Sequence, residues 1–494
     1  MTTRTRRTTR SILALVVAFL IAAGSGSAFD AQTAYAATYV PISGTGSTWS
    51  QNALDQWRKN VAANYGMTVN YSGTGSSAGR RDYIAGQVDF AISEIPFQTS
   101  PEDGSAPEKP TTAFAYMPIV AGGTSFMYNL NIGGKRVTTL QLSGDSITKI
   151  FTGVITTWKD PQIAAENPGL ALPDKLITPV VRSDGSGSTA QFTLWMSKQH
   201  PALWNAFCAA NGRPSPCGLT SQYPAPKFVK AQSGSLGVAG YVSQNYAEGA
   251  ITYVEYSYAL KSGFPVAKVL NAAGSYVSPT GAAVAVALQK AVINTTVSSP
   301  DYLTQNLDGV YNNADPVAYP LSSYSYMIVP TATSANFTTQ KGSSLSTFAN
   351  YMLCTGQKQA EVLGYSPLPE NLVRAGLEQV ARIPGAVAAA SECKGPITPP
   401  PTAASGSGAG GAGAAGAADA AAGADGALYD ANGALISGAA SGGAVSSPFT
   451  LADSVFGPQQ FVMLFAGILV VAVIALPPVL SRRLKRAGAK TPGQ

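Results

Sequence analysis

Histidine is almost missing from this chain: among 494 residues there is one, His200. That scarcity argues against an imidazole-bound metal centre and against histidine acid/base chemistry, since both draw on ring nitrogens. Cysteine is nearly as sparse, with Cys208, Cys217, Cys354 and Cys393 as the whole set. Charge is thin as well, at 12% of residues, and the formal net of +6 gathers at the ends. Residues 1–36 hold four arginines and one aspartate, and residues 481–494 hold five basic residues. Removing these leaves 23 basic against 25 acidic residues in 37–480, a net of −2. A middle without a dense basic patch excludes a nucleic-acid partner. No stretch carries the lysine and spacing of a nucleotide P-loop, and none is a full GxGxxG in dinucleotide context.

What is present is a recurring local design. Leu176 to Val181 reads as a short strand, Arg182-Ser183-Asp184-Gly185-Ser186-Gly187-Ser188-Thr189 as a turn, and the segment through Phe192 and Leu194-Trp195-Met196 as a helix. Glycines let backbone N–H groups converge, and a helix start leaves its first donors unpaired. With the planar fork of Arg182 this forms a cradle for a tetrahedral oxyanion. Ser43-Gly44-Thr45-Gly46-Ser47-Thr48-Trp49 and Ser72-Gly73-Thr74-Gly75-Ser76-Ser77-Ala78-Gly79 repeat the strand, Gly/Ser turn and helix order. Val88 to Pro96 adds a carboxylate, Glu94, just beyond an apolar strand, where ligand groups gather in open α/β sheets. Phe114–Val120 and Thr124–Leu130, parted by Gly122-Gly123, read as a strand that passes between two lobes.

The ends are of other kinds. Arg4 to Arg10, the apolar Ile12–Ala23 and Ala34-Tyr35-Ala36 form a signal peptide over 1–36. Residues 396–458, rich in Ala, Gly and Ser, read as a flexible linker. Residues 459–480 read as a transmembrane helix and 481–494 as a basic cytoplasmic tail. The expected product is a single-pass protein of the cell membrane with its binding domain outside. Four exported cysteines read as disulfides, with Cys208–Cys217 and Cys354–Cys393 the preferred of three pairings.

Six stretches in order carry a family likeness: Gly46–Trp49, Tyr71–Gly79, Val88–Pro96, Arg182–Ser188, Gly237–Tyr241 and Tyr253–Tyr256. Residues 37–395 thereby resemble the phosphate-binding proteins of bacterial phosphate ABC transporters, the PstS family, with an actinobacterial-type C-terminal anchor. The resemblance implies a two-lobed α/β periplasmic-binding-protein fold of type II, with lobe I near 37–118 and 260–395 and lobe II near 119–259. It implies inorganic phosphate in the cleft, delivery to ABC permease subunits, and neither cofactor nor metal nor catalysis. Carried over by position, the phosphate-binding residues are Ser47, Thr48 and Trp49, Ser76, Glu94, Arg182, Asp184, Ser186, Gly187 and Ser188. Glu94 stands where the family has aspartate, Trp49 where it has phenylalanine, and Ser188 where it has threonine. Two rival functions are a phosphate-ester hydrolase, which lacks a base for Ser186, and an adhesive or structural surface protein.

Overall fold

The computed structural model describes residues 39–389, Cys393, and two short strands, Leu428–Tyr429 and Leu435–Ser437. The latter pair antiparallel with each other inside the stretch expected as a linker. The expected signal peptide, span and basic tail lie outside the described residues. Among the described residues no helix is long and apolar enough to cross a membrane. The described residues thus give no support to the expected C-terminal anchor, nor to the transmembrane helix in the fold, the membrane as partner and the single-pass localisation with a cytoplasmic C-terminus.

Eight strands form one sheet: β1 (Ile42–Gly46), β2 (Val69–Ser72), β3 (Phe90–Ser93), β4 (Phe114–Tyr128), β5 (Thr178–Arg182), β6 (Lys230–Gln232), β7 (Ala250–Glu255) and β8 (Ser322–Pro330). Their spatial order is β2-β1-β3-β8-β4-β7-β5-β6. The expectation of a crossing strand is met by β4, fifteen residues long and buried past its first residue. Its first part pairs with β8 through Gly123 opposite Ser322, and its second with β7 from Thr124 opposite Glu255. The glycines at this junction are required by contact. A Cβ at Gly122 would meet the Trp49 ring at 2.8 Å, and one at Gly123 would meet Pro279 at 2.9 Å.

Pairing of β1 with β2 and β3 is parallel, as is that of β5 with β6 and β7. Parallel strands need helical crossovers, and the two parallel sets run in opposite directions on either side of β8 and β4, so their C-terminal ends approach the lobe junction from opposite sides. Helices α1 (Gln51–Tyr65), α2 (Ser76–Ile84), α3 (Gly187–Gln199) and α4 (Gly234–Val242) follow β1, β2, β5 and β6. The β4–β8 ladder shifts register between Ser325 and Tyr326, next to Pro118. Proline has no N–H for the ladder, so an extra residue is tolerated there.

The apolar core divides in two main parts. One gathers residues 42–121 with 324–383, including Trp57, Phe90, Tyr326 and Phe348. The other gathers residues 126–321, including Phe126, Trp158, Phe192, Tyr253 and Tyr319. Residues 267–321 thus pack with the second lobe, whereas 260–395 was expected with the first. The reason is β8, the strand that brings the chain back, which begins only at Ser322. Two further helices here are Gly281–Leu288 and Glu370–Val380. The second ends just before Pro384-Gly385, where Gly385 takes φ +81°.

Both preferred disulfides are present. Cys208–Cys217 closes the turn after the helix Pro201–Ala210, with Cα atoms 6.0 Å apart. Cys354–Cys393 joins the C-terminal cap of the helix Thr339–Leu353 to the end of the folded region, Cα atoms 5.2 Å apart.

Candidate functional site

The rim where the parallel strands end collects nearly every residue singled out in the sequence. Ser47 follows β1, Glu94 follows β3, and Arg182 is the last residue of β5. Helix α2 begins at Ser76 and α3 at Gly187, with Ser186 as its cap accepting from Thr189 N–H at 3.2 Å. Such starts turn unpaired N–H groups toward one place.

Glu94 is at the centre of this arrangement, 1% exposed. Its Oε1 accepts hydrogen bonds from the Ser47 hydroxyl and, at 2.8 Å, from the Ser325 hydroxyl. Its Oε2 accepts from the Ser76 hydroxyl at 2.7 Å. Ser76 Oγ in turn accepts from Gly187 N–H at 3.1 Å, which joins the two lobes. A Cβ at Gly187 would lie 1.9 Å from Glu94 Oε2, so only glycine admits the carboxylate here. A buried carboxylate is tolerated when several donors face it, and three hydroxyls do.

Arg182 and Asp184 form the second cluster. Arg182 donates through Nε to Asp184 Oδ1 at 2.7 Å and through Nη2 to Asp184 Oδ2. Its Nη1 donates to Ser235 Oγ at 3.3 Å. Of the five guanidinium N–H groups, three are so engaged, which leaves two for a ligand. Burial raises the Asp184 carboxyl pKa, but the hydrogen bonds and charge of Arg182 and the Gly234 N–H outweigh it, so its pKa lies below the usual range. Arg182 N–H donates to Tyr253 Oη at 3.2 Å, and Tyr253 Oη shares a hydrogen bond with Thr189 Oγ1 at 2.7 Å. Burial pushes the Tyr253 phenol up to about 12, so it stays a neutral donor.

The lobes meet again at Thr48, whose Oγ1 accepts from Ser235 N–H at 3.0 Å, and at Ser77, whose N–H donates to Gly185 O at 3.0 Å. Trp49 enters differently from expectation. Its N–H is spent on Ser47 Oγ at 2.9 Å, and its ring is buried edge-on against Tyr365 with Nε1 toward Thr124 Oγ1 at 3.4 Å. Ser188 Oγ is buried and has no protein partner. The ten site residues are therefore brought to one interlobe rim, with Trp49 turned inward.

Three contributors escaped the sequence reading. Ser325 and Gln191, whose Nε2 donates to the Glu94 carbonyl at 2.7 Å, carry no local signature. Ser235 does carry one: Gln232-Ser233-Gly234-Ser235 is a fourth strand, Gly/Ser turn and helix start.

Known proteins with this architecture bear on the site. Residues 27–355 match the model of the PBP superfamily domain. A phosphate-binding protein PstS of Xylella fastidiosa is 33% identical over 336 residues, covering 68% of this chain and 83% of that protein. The chain belongs to the PstS family. A PstS 2 protein of Mycobacterium tuberculosis is 29% identical, covering 66% of this chain and 83% of that protein. A solved phosphate-binding protein from Stenotrophomonas maltophilia shares the fold, with TM-score 0.51, 19% identity, and coverage of 72% and 98%. PstS-family proteins bind solutes rather than transform them, so this chain is a solute-binding protein and the hydrolase reading falls.

Proposed function

We propose that the rim binds inorganic phosphate outside the cytoplasm and passes it to the permease of an ABC transporter. The observation that carries this is the junction of Glu94, Ser76 and Gly187 N–H beside the two free guanidinium donors of Arg182. Arg182 brings two free donors, and a bound phosphate would take over the donors that Ser76 and Gly187 N–H now spend on Glu94 and on each other, with Glu94 as the one carboxylate acceptor. Phosphate near neutral pH keeps at least one proton and can donate it to Glu94, whereas sulfate has none and would face the carboxylate as a like charge. Ser188 Oγ, buried without a protein partner, suits a further ligand oxygen. Ser47, Thr48, Ser76, Arg182, Ser186, Gly187 and Ser188 are the proposed donors, Asp184 orients Arg182, and Trp49 fixes the first loop by its ring. Membership of the PstS family supports phosphate over other tetrahedral anions.

Calorimetry on protein stripped of ligand tests this. Phosphate should bind with a 1:1 stoichiometry and sulfate at least a hundredfold more weakly. Equal affinities for the two, or none for either, would overturn the proposal.

A further inference from the structure

A loop that supplies none of the proposed ligand contacts ties the lobes together. Residues 98–110 leave the first lobe and return to it, and their base is fixed there. Arg80, buried, donates from Nε to Glu108 Oε2 at 2.7 Å and from Nη1 to Ser93 Oγ at 2.8 Å. Gln98 N–H donates to Glu108 Oε2 at 2.8 Å, closing the base of the loop.

The tip crosses to the second lobe. Glu102 Oε2 accepts from Leu219 N–H at 2.7 Å, and Asp103 Oδ2 accepts from the Thr220 hydroxyl at 2.7 Å. The receiving segment is itself rigid. Cys217 is disulfide-bonded, Trp204 Nε1 donates to Gly218 O at 2.9 Å, and Thr220 N–H donates to Thr193 Oγ1 at 3.0 Å. Ser221 O accepts from Ser186 N–H at 3.0 Å, so the segment also supports the cap of α3. Gly218, at φ +60°, permits the approach: a Cβ there would lie 1.7 Å from Glu102 Oε2.

We propose that Glu102 and Asp103 are positioning residues that clasp the two lobes and set how long a bound ligand is kept. They touch no ligand group; they act by favouring the closed arrangement in which Ser76 meets Gly187 and Thr48 meets Ser235. Apparent affinity scales with the population of the competent state, so a weaker clasp raises the dissociation constant by the same factor that it lowers closure. Capture by the separated lobes precedes clasping, so the change falls on the dissociation rate.

The inference rests on the phosphate reading above. Full-length E102A/D103A and E102Q/D103N proteins are compared with wild type by stopped-flow phosphate binding, after circular dichroism shows them folded. The amide pair keeps acceptor oxygens while removing charge, so it isolates long-range effects on encounter. E102A/D103A should release phosphate about tenfold faster with an association rate within twofold of the amide pair, since charge-assisted hydrogen bonds exceed neutral ones but these are partly exposed. E102Q/D103N should lie between the two in release. A release rate within twofold of wild type in folded E102A/D103A, with wild-type binding intact, overturns the clasp alone. Absence of phosphate binding by wild type overturns the function proposal and the clasp with it.

Discussion

Removing Arg182 separates two things that one side chain does. Arg182→Ala deletes two hydrogen bonds to Asp184, one to Ser235 and the two donors left for a ligand. Loss of a buried, charged ligand partner costs about 2–5 kcal/mol of binding, or roughly 30- to several-thousand-fold in affinity. The same change strands Asp184, whose side chain is 14% exposed. Breaking a buried pair from one side costs about 3–5 kcal/mol of stability, and this partial exposure places the cost near 3 kcal/mol. R182A/D184A removes the orphaned carboxylate, so it should recover most of the stability and none of the binding. Asp184 has a depressed folded-state pKa. Its contribution is therefore present above the unfolded value of about 3.9 and lost as pH falls through the folded one. The stability gap between wild type and R182A should accordingly narrow below about pH 3.9. Chemical denaturation and calorimetry on the three proteins read both effects. Phosphate affinity of folded R182A/D184A within threefold of wild type would refute Arg182 as a ligand donor.

Glu94→Gln keeps the shape but brings an N–H into a site with three serine donors. Phosphate affinity should fall at least tenfold and the phosphate-to-sulfate affinity ratio should drop; an unchanged ratio at one pH and salt would show that Glu94 does not select. C208S/C217S opens a loop spanning nine residues of sequence and should cost about 2–3 kcal/mol by denaturant titration, with phosphate binding kept. Glu255 is buried with Oε1 unpartnered, and burial raises its pKa well above the usual range despite the hydrogen bond from Ser257 N–H. Above an unfolded value of about 4.3 the unfolded chain loses a proton that the folded chain keeps, so wild-type stability declines with rising pH on this account. The melting temperature of E255Q relative to wild type should therefore climb from pH 4 to pH 8, and a flat difference would show that Glu255 is ionised in the fold.

Much of the site was legible because its pieces are local. A strand, a Gly/Ser turn and a helix start are encoded within about ten residues, and the site follows once two oppositely running sets of such units face each other across the lobe junction. Arg182 and Asp184 are two residues apart, so their pairing needs no tertiary knowledge. The crossing of β4 could be read from Gly122-Gly123 inside an apolar run. The lobe boundary could not, because whether 267–321 packs with one lobe or the other is decided by where β8 re-enters the sheet. The anchor was inferred from hydropathy and flanking charge alone, and the described helices supply none.

Glu94 shows where the limit falls. Its donors Ser47 and Ser76 lie in loops whose composition announces them, and both were singled out. Ser325 lies 231 residues from Glu94 in an unbroken buried strand, where a serine reads as a minor polar interruption. Only the insertion of β8 between β3 and β4 brings its hydroxyl to the carboxylate, beside the register shift that Pro118 accommodates. The consequence is physical. Of the three hydroxyls that donate to Glu94, one comes from the returning strand of the same lobe rather than from a glycine-rich loop, so the selecting carboxylate is coupled to the sheet as well as to the loops. Ser325→Ala should therefore weaken phosphate binding severalfold although Ser325 belongs to none of the glycine-rich loops, and unaltered calorimetric affinity in the folded variant would sever that coupling.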